Sequence, residues 1–357
     1  MAEFSTSSRL HLPFDDMESV RASCDAFREV YASLRETIGR IVIGQDDVVE
    51  QTLWALLADG HVLFEGVPGL GKTLLVRTLS DALSLRFARI QFTPDLMPAD
   101  ITGTNMVIED QATGQRVFEF TPGPIFHQLI LADEINRATP KSQAALLEAM
   151  QEKSVTIAGA THQLERPFLV MATQNPVEQE GTYPLPEAQL DRFLFKIHVP
   201  FTTRSELNRI VDSTTTTRLP TIEHELDGPT ILAAQQLAMR IVVAPHVQDF
   251  AIRLVMATHR GGPMAVKSVE RYIGTGASPR GAQALISAAN VRALVTGRYA
   301  VSFDDLEVVA RPALRHRILR SFEAEADNVS ADEVIDALLD AVPRDGGPAT
   351  SRRSGGR

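Results

Sequence analysis

A chain of 357 residues is longer than a single hydrophobic core usually supports, and 44% hydrophobic with 22% charged residues is a globular composition, so two domains are expected. A formal charge of −10 disfavours nonspecific adhesion to nucleic acid or an anionic membrane, because either would repel the chain at long range. The single cysteine, Cys24, excludes an intrachain disulfide and a cysteine-based metal site. Met1 to Asp15 lacks an export pattern and no apolar run is long enough to span a bilayer, so the simplest expected location is the cytoplasm.

In chain order, residues 1–15 are polar and aperiodic and are expected to be a loose arm. From Asp15 to Leu34, Met17, Val20, Phe27, Val30 and Leu34 recur at helical spacings and predict an amphipathic helix. A second helix over Asp46 to Asp59 precedes a strand at Val62 to Glu65, which runs into a glycine-rich loop. Helix and strand then alternate: a helix over Thr73 to Leu83, strands over Phe87 to Phe92 and Leu129 to Ala132, and a helix over Lys141 to Glu152. A strand over Phe168 to Thr173, a short helix over Glu187 to Arg192 and a strand over Phe195 to Val199 follow. This alternation predicts an α/β domain with one mostly parallel sheet flanked by helices.

Ser213 to Pro229, with four consecutive threonines and two prolines, is read as the joint between domains. Beyond it, helices are expected over Ile231 to Val242, His246 to Thr258, Arg280 to Thr296 and Ser302 to Leu319, with no intervening strand. In the third, Ala282, Leu285, Ile286, Ala289 and Ala293 are expected to form the buried stripe. A last helix over Ser330 to Ala341 has Asp327, Asn328 or Ser330 as possible caps, and the glycine, arginine and serine after Pro343 read as a disordered tail.

The strongest local signal is Gly66-Val67-Pro68-Gly69-Leu70-Gly71-Lys72-Thr73, which satisfies G-x-x-x-x-G-K-[ST] between a strand and a helix. Glycines permit a tight turn whose amides converge on phosphate oxygens, and the helix amino terminus adds a favourable field. In such a loop, Lys72 reaches the β and γ phosphates of ATP and the Thr73 hydroxyl ligates Mg2+.

The apolar run Leu129-Ile130-Leu131-Ala132 ends in Asp133-Glu134, placing two carboxylates at the carboxyl edge of a strand. Asp133 is suited to hold a magnesium-bound water and Glu134 to orient or deprotonate the attacking water. Asn175 can position water and touch the γ phosphate without adding charge, although Asn175-Pro176 also reads as an ordinary turn. Arg192 and Arg280 can each pair with phosphate oxygens; spacing alone leaves open which acts within its own subunit.

Taken together, these residues resemble the AAA+ ATPases, and Ile43-Gly44-Gln45 through the region near Arg320 resembles the MoxR family specifically. The phosphate loop, Phe92-Thr93-Pro94-Asp95-Leu96-Met97-Pro98, Leu131-Ala132-Asp133-Glu134-Ile135-Asn136-Arg137, Ala172-Thr173-Gln174-Asn175-Pro176 and the run from Glu180 to Phe193 carry the match. The resemblance implies a P-loop NTPase core over residues 16–212, a linker over 213–229, a small all-helical lid over 230–342 and a tail over 343–357. It implies nucleotide contacts from Val42, Ile43 and Gly44 near the adenine and from Val67, Pro68, Gly69, Leu70, Gly71, Lys72, Thr73 and Leu74 around ATP or ADP. Asn175 would be the first sensor, Arg192 the finger offered to a neighbouring site and Arg280 the second sensor from the lid.

The resemblance places Leu96 to Gly103 and Phe118 to Pro124 in an insertion flanking a core helix, and makes Val155 to Glu165 a candidate β-hairpin. It further implies a homo-hexameric ring, and a chaperone-like motor acting on a separate client, often with a von Willebrand factor A domain protein. A nucleotide-dependent assembly switch is the alternative reading. A nucleic-acid motor is disfavoured by the acidic balance and by the lack of a recognisable DNA-binding appendage.

Overall fold

The computed structural model describes residues 17–66, 71–109, 116–175, 181–215 and 226–345. The expected arm, most of the expected joint and the end of the expected tail fall outside these residues. The chain divides into two compact units, one built from Ala32–Arg192 and Ile197–Leu232, the other from residues 17–31, Phe193–Lys196 and 233–345.

In chain order the elements up to the second unit are α1 (Met17–Ile41), α2 (Asp46–Leu57), β1 (Val62–Glu65), α3 (Lys72–Leu83), β2 (Phe87–Gln91), α4 (Pro98–Thr102), β3 (Gly103–Glu109) and β4 (Arg116–Pro122). There follow β5 (Leu129–Asp133), α5 (Pro140–Glu152), β6 (Ser154–Ile157), β7 (Ala160–Gln163), β8 (Leu169–Gln174), α6 (Glu187–Leu190), β9 (Phe195–His198) and α7 (Arg204–Thr215). Five strands form one sheet in the order β2-β5-β8-β1-β9. The β2–β5, β5–β8 and β8–β1 pairs are parallel, as the alternating pattern predicts. Leu129 to Ala132 and Val170 to Ala172 are fully buried, which is why these central strands read as uninterrupted apolar runs rather than as alternating ones.

Register decides what the sheet presents. Gln91 is paired with Asp133, and Glu65 with Gln174, so the carboxyl ends of β2, β5, β8 and β1 lie along one edge. In open α/β sheets that edge is where ligands bind.

Buried His61 ties β1 to its neighbours. Its Nδ1 accepts the Val170 N–H at 3.0 Å and its Nε2 faces the Met150 carbonyl at 3.2 Å, an arrangement only the neutral ring can satisfy. Burial lowers its pKa from 6.5 to about 4. The folded value lies below the unfolded one, so its contribution is complete above pH 6.5 and is lost as pH falls toward 4; full protonation costs on the order of 3 kcal/mol. Denaturant unfolding of His61→Gln, which keeps one donor and one acceptor, is expected to show a flatter fall in stability across this window than the parent. An unchanged slope would contradict the assignment.

Two hairpins stand outside the main sheet. The β6–β7 hairpin coincides with the one expected over Val155 to Glu165. The β3–β4 hairpin supplies strands where only an insertion was anticipated, pairing Gly103 with Pro122 through Glu109 with Arg116.

The second unit contains α9 (Pro245–Ala257), α10 (Lys267–Glu270), α11 (Pro279–Val295), α12 (Phe303–Leu314), α13 (Phe322–Ala326) and α14 (Ala331–Ala341), with α8 (Gly228–Met239) running into it. The expectation of no strand here is corrected by a two-stranded ribbon of β10 (Ile273–Thr275) and β11 (Leu319–Arg320). The predicted stripe on α11 also needs correcting: Ala284, Leu285, Ala288, Ala289, Val291 and Ala293 are buried, whereas Ala282 and Ile286 are half-exposed. Because α11 packs against both α9 and α12, its buried face is wider than one stripe and rotated from the predicted position.

Among the proposed caps of α14, Ser330 is the one used: its hydroxyl accepts from Glu333 N at 3.2 Å while Glu333 accepts from Ser330 N at 2.8 Å. Asp305 is fully buried beneath Arg292 and Arg298. Burial alone would raise its carboxyl, but hydrogen bonds from Arg298, Ser302 and Arg292 hold it below its ordinary value.

Candidate functional site

A cavity of about 260 Å3 opens at the carboxyl edge of the sheet and gathers residues distant in sequence. Gly66, Gly71, Lys72 and Thr73 come from the phosphate loop, Asp133 and Glu134 from the end of β5, and Asn175 from just beyond β8. The sequence-predicted lysine, threonine, acids and asparagine are therefore brought together. Val67, Pro68, Gly69 and Leu70 lie outside the described residues.

Gly71 caps α3 with φ +77°, a left-handed conformation that a side chain at this position would strain. The turn delivers Lys72 and Thr73 into the first turn of α3, where unpaired backbone amides favour an anion. Lys72 Nζ donates to the Gly66 carbonyl at 2.8 Å. Burial draws its pKa below the ordinary lysine value, and the carboxylates of Asp133 and Glu134 pull the other way.

The two acids are held from β8. The Thr173 hydroxyl, 1% exposed, donates to Asp133 Oδ1 at 2.6 Å and accepts the Glu134 backbone N–H at 2.8 Å. Glu134 has φ 57° and ψ 49°, a left-handed conformation for a non-glycine residue, which costs on the order of 1–3 kcal/mol. Strain of this kind persists only where the surroundings over-determine it. Here the Thr173 bond holds one side of the turn, and the fully buried Gln143 amide donates to the carbonyls of Ile135 at 3.1 Å and Ala138 at 3.2 Å on the other.

Sequence reasoning passed over three cavity residues: Thr173, Arg89 and Gln91. Arg89 Nη2 donates to Asp133 Oδ2 at 2.6 Å, and Gln91 Nε2 donates to Glu134 Oε2 at 2.9 Å. Arg137 adds an ion pair to Glu134 at 3.2 Å. Arg89 and Gln91 are two apart on β2 and so share a face, a period that was visible in the sequence. What made it informative was β2 lying beside β5.

Other expected site residues do not line this cavity. Val42 is buried, Ile43 is half-buried, and Gly44 takes φ +77° with its open side against the Glu206 side chain. This segment lies beside the loop, since the space a Gly71 side chain would enter is bounded by Gln45 Nε2 at 4.0 Å. Leu74 is 38% exposed on α3. Arg192 follows α6, its Nε buried and without a hydrogen-bond partner among the described residues. Arg280 opens α11 in the second unit, its backbone N donating to Ser278 Oγ at 3.1 Å.

The donor set fits a magnesium nucleotide. No cluster of three or more histidine, cysteine or acidic residues among the described residues could cage a metal by itself. Mg2+ in nucleotide sites instead takes one or two protein ligands and completes its shell with phosphate and water, and the cavity offers the Thr73 hydroxyl and the Asp133 carboxylate for that role.

The model of the ATPase family associated with various cellular activities matches residues 61–195, and that of the AAA lid domain matches residues 265–338. Chaperone MoxR1 of Mycobacterium tuberculosis is 44% identical over 306 residues, covering 85% of this chain and 80% of that protein. The chain belongs to the MoxR family of AAA+ ATPases. Protein MoxR of Methylorubrum extorquens is 31% identical, over 89% of this chain and 96% of that protein. A crystal structure assigned as an ATPase of Cytophaga hutchinsonii superposes with a TM-score of 0.85 at 38% identity, covering 92% of this chain and 98% of that one. Family membership accounts for the α/β core and the helical second unit, and no helix among the described residues is long and apolar enough to cross a membrane.

Proposed function

We propose that this chain hydrolyses ATP to ADP and phosphate and uses the resulting conformational change to remodel or mature a separate protein partner. The observation carrying the reading is the convergence of Lys72, Thr73, Asp133, Glu134 and Asn175 on one cavity. Lys72 grips the phosphates as a cation, while Thr73 and Asp133 hold the metal. Bound Mg2+ supplies neutralisation of the phosphate charge. Glu134 aligns the attacking water and accepts its proton, and Asn175 senses the γ phosphate as a neutral donor.

Arg192 is assigned to a neighbouring subunit's site in a homo-hexameric ring, and Arg280 to the γ phosphate as a second sensor. Val42, Ile43 and Gly44 are assigned to the adenine, and the 67–70 loop and Leu74 to the nucleotide. These assignments rest on family membership, as does a von Willebrand factor A domain partner.

Two measurements on the purified chain test this reading. Phosphate release is expected with Mg2+ and ATP and should stop on EDTA addition. Light-scattering mass at saturating ATP is expected to exceed that of a single chain. Absence of metal-dependent release would remove the ATPase assignment, and a monomer at saturating ATP would remove the ring.

A further inference from the structure

Asp133 carries two different hydrogen-bonding commitments. Its Oδ1 accepts from the Thr173 hydroxyl, a neutral, almost fully buried donor that is itself fixed by the Glu134 N–H. Its Oδ2 accepts from the Arg89 guanidinium at 2.6 Å, a full positive charge on the oxygen opposite Thr173. The same Arg89 Nη2 donates to Gln91 Oε1 at 2.8 Å, and Gln91 passes a hydrogen bond on to Glu134 Oε2 at 2.9 Å. One continuous chain of contacts therefore runs from the acid assigned to the metal to the acid assigned to water.

Arg89 and a magnesium-bound water would compete for the same Asp133 oxygen, and the guanidinium charge repels an incoming cation. Of the two partners of Asp133, Thr173 is locked in β8, whereas the Arg89 side chain is 47% exposed and stands on β2, the edge strand, with room to swing outward. We propose that Arg89 is a positioning residue that competes with Mg2+ for Asp133 and must yield it when the metal arrives with ATP, so that Arg89 sets the metal concentration at which the site fills. The inference rests on the nucleotide-site reading above.

The test uses the full chain and a nonhydrolysable ATP analogue, titrated by calorimetry at stepped MgCl2 concentrations to give the Mg2+ concentration for half-maximal binding. Removing one charge-assisted competitor is expected to lower that concentration roughly tenfold in Arg89→Ala. Arg89→Gln, which retains bulk and hydrogen-bonding capacity, carries the same direction if the alanine variant folds poorly. Arg89→Lys keeps the competing charge and is expected to stay near the parent value. An unchanged or higher Mg2+ requirement in folded Arg89→Ala or Arg89→Gln overturns the proposal. If the parent shows no metal-dependent binding, the nucleotide-site reading fails; if the parent shows it and the neutral variants track the parent, only the role of Arg89 falls.

Discussion

Glu134→Gln is expected to bind ATP about as tightly as the parent while its turnover falls by roughly 10²–10⁴-fold, the usual contribution of a positioned general base. The substitution preserves shape. The backbone N–H that Thr173 accepts at 2.8 Å remains, and a glutamine oxygen can still accept from Gln91 Nε2. A glutamine bears the left-handed backbone at φ 57° no worse than a glutamate does, so folding should be unaffected. What disappears is the carboxylate that accepts a proton from water. Single-turnover phosphate release, paired with calorimetric binding, separates the two quantities. Parent-like turnover would remove Glu134 from the chemistry, and lost binding would make it a structural support of the loop.

Much of this site was readable in the sequence because each element carries its chemistry in a few consecutive residues. The loop ending in Gly71-Lys72-Thr73 and the apolar run ending in Asp133-Glu134 are local patterns, and the cavity brings together the residues they supply. Arg89, Gln91 and Thr173 were not read because their meaning is not local. Arg89 and Gln91 look like the solvent face of a strand until β2 is known to lie beside β5, and an order of β2-β5-β8-β1-β9 cannot be deduced from the order of elements along the chain.

The same distinction separates the successes and failures in the fold. Strands buried on both faces, such as β5 and β8, announced themselves as apolar runs. The β3–β4 hairpin did not, because Met106, Val107 and Phe118 are exposed and its residues show no clean alternation between core and solvent. β10 and β11 are three and two residues long, too short for any period to register. On α11 the helix itself was legible, but its buried face was set by packing partners on two sides.

Lys72→Ala gives the second large effect expected. Its ammonium group lies in the cavity beside both acids and is already partly desolvated, so its bonds to phosphate form with little water left to lose. Deleting it removes one or more charge-assisted hydrogen bonds of about 1.5–3 kcal/mol each, which corresponds to roughly tenfold or more in affinity per bond. Lys72 is only part-buried at the start of α3, and the Gly66 carbonyl its ammonium now contacts at 2.8 Å can turn to water, so stability should change little. Calorimetric titration of Mg2+ and ATP into the parent and into folded Lys72→Ala is therefore the most direct measurement. The predicted result is saturable binding by the parent and affinity lower by at least about tenfold in the variant, with phosphate release lost in parallel. Equal affinity and equal phosphate release in both would contradict the claim that this loop and these acids form one nucleotide site.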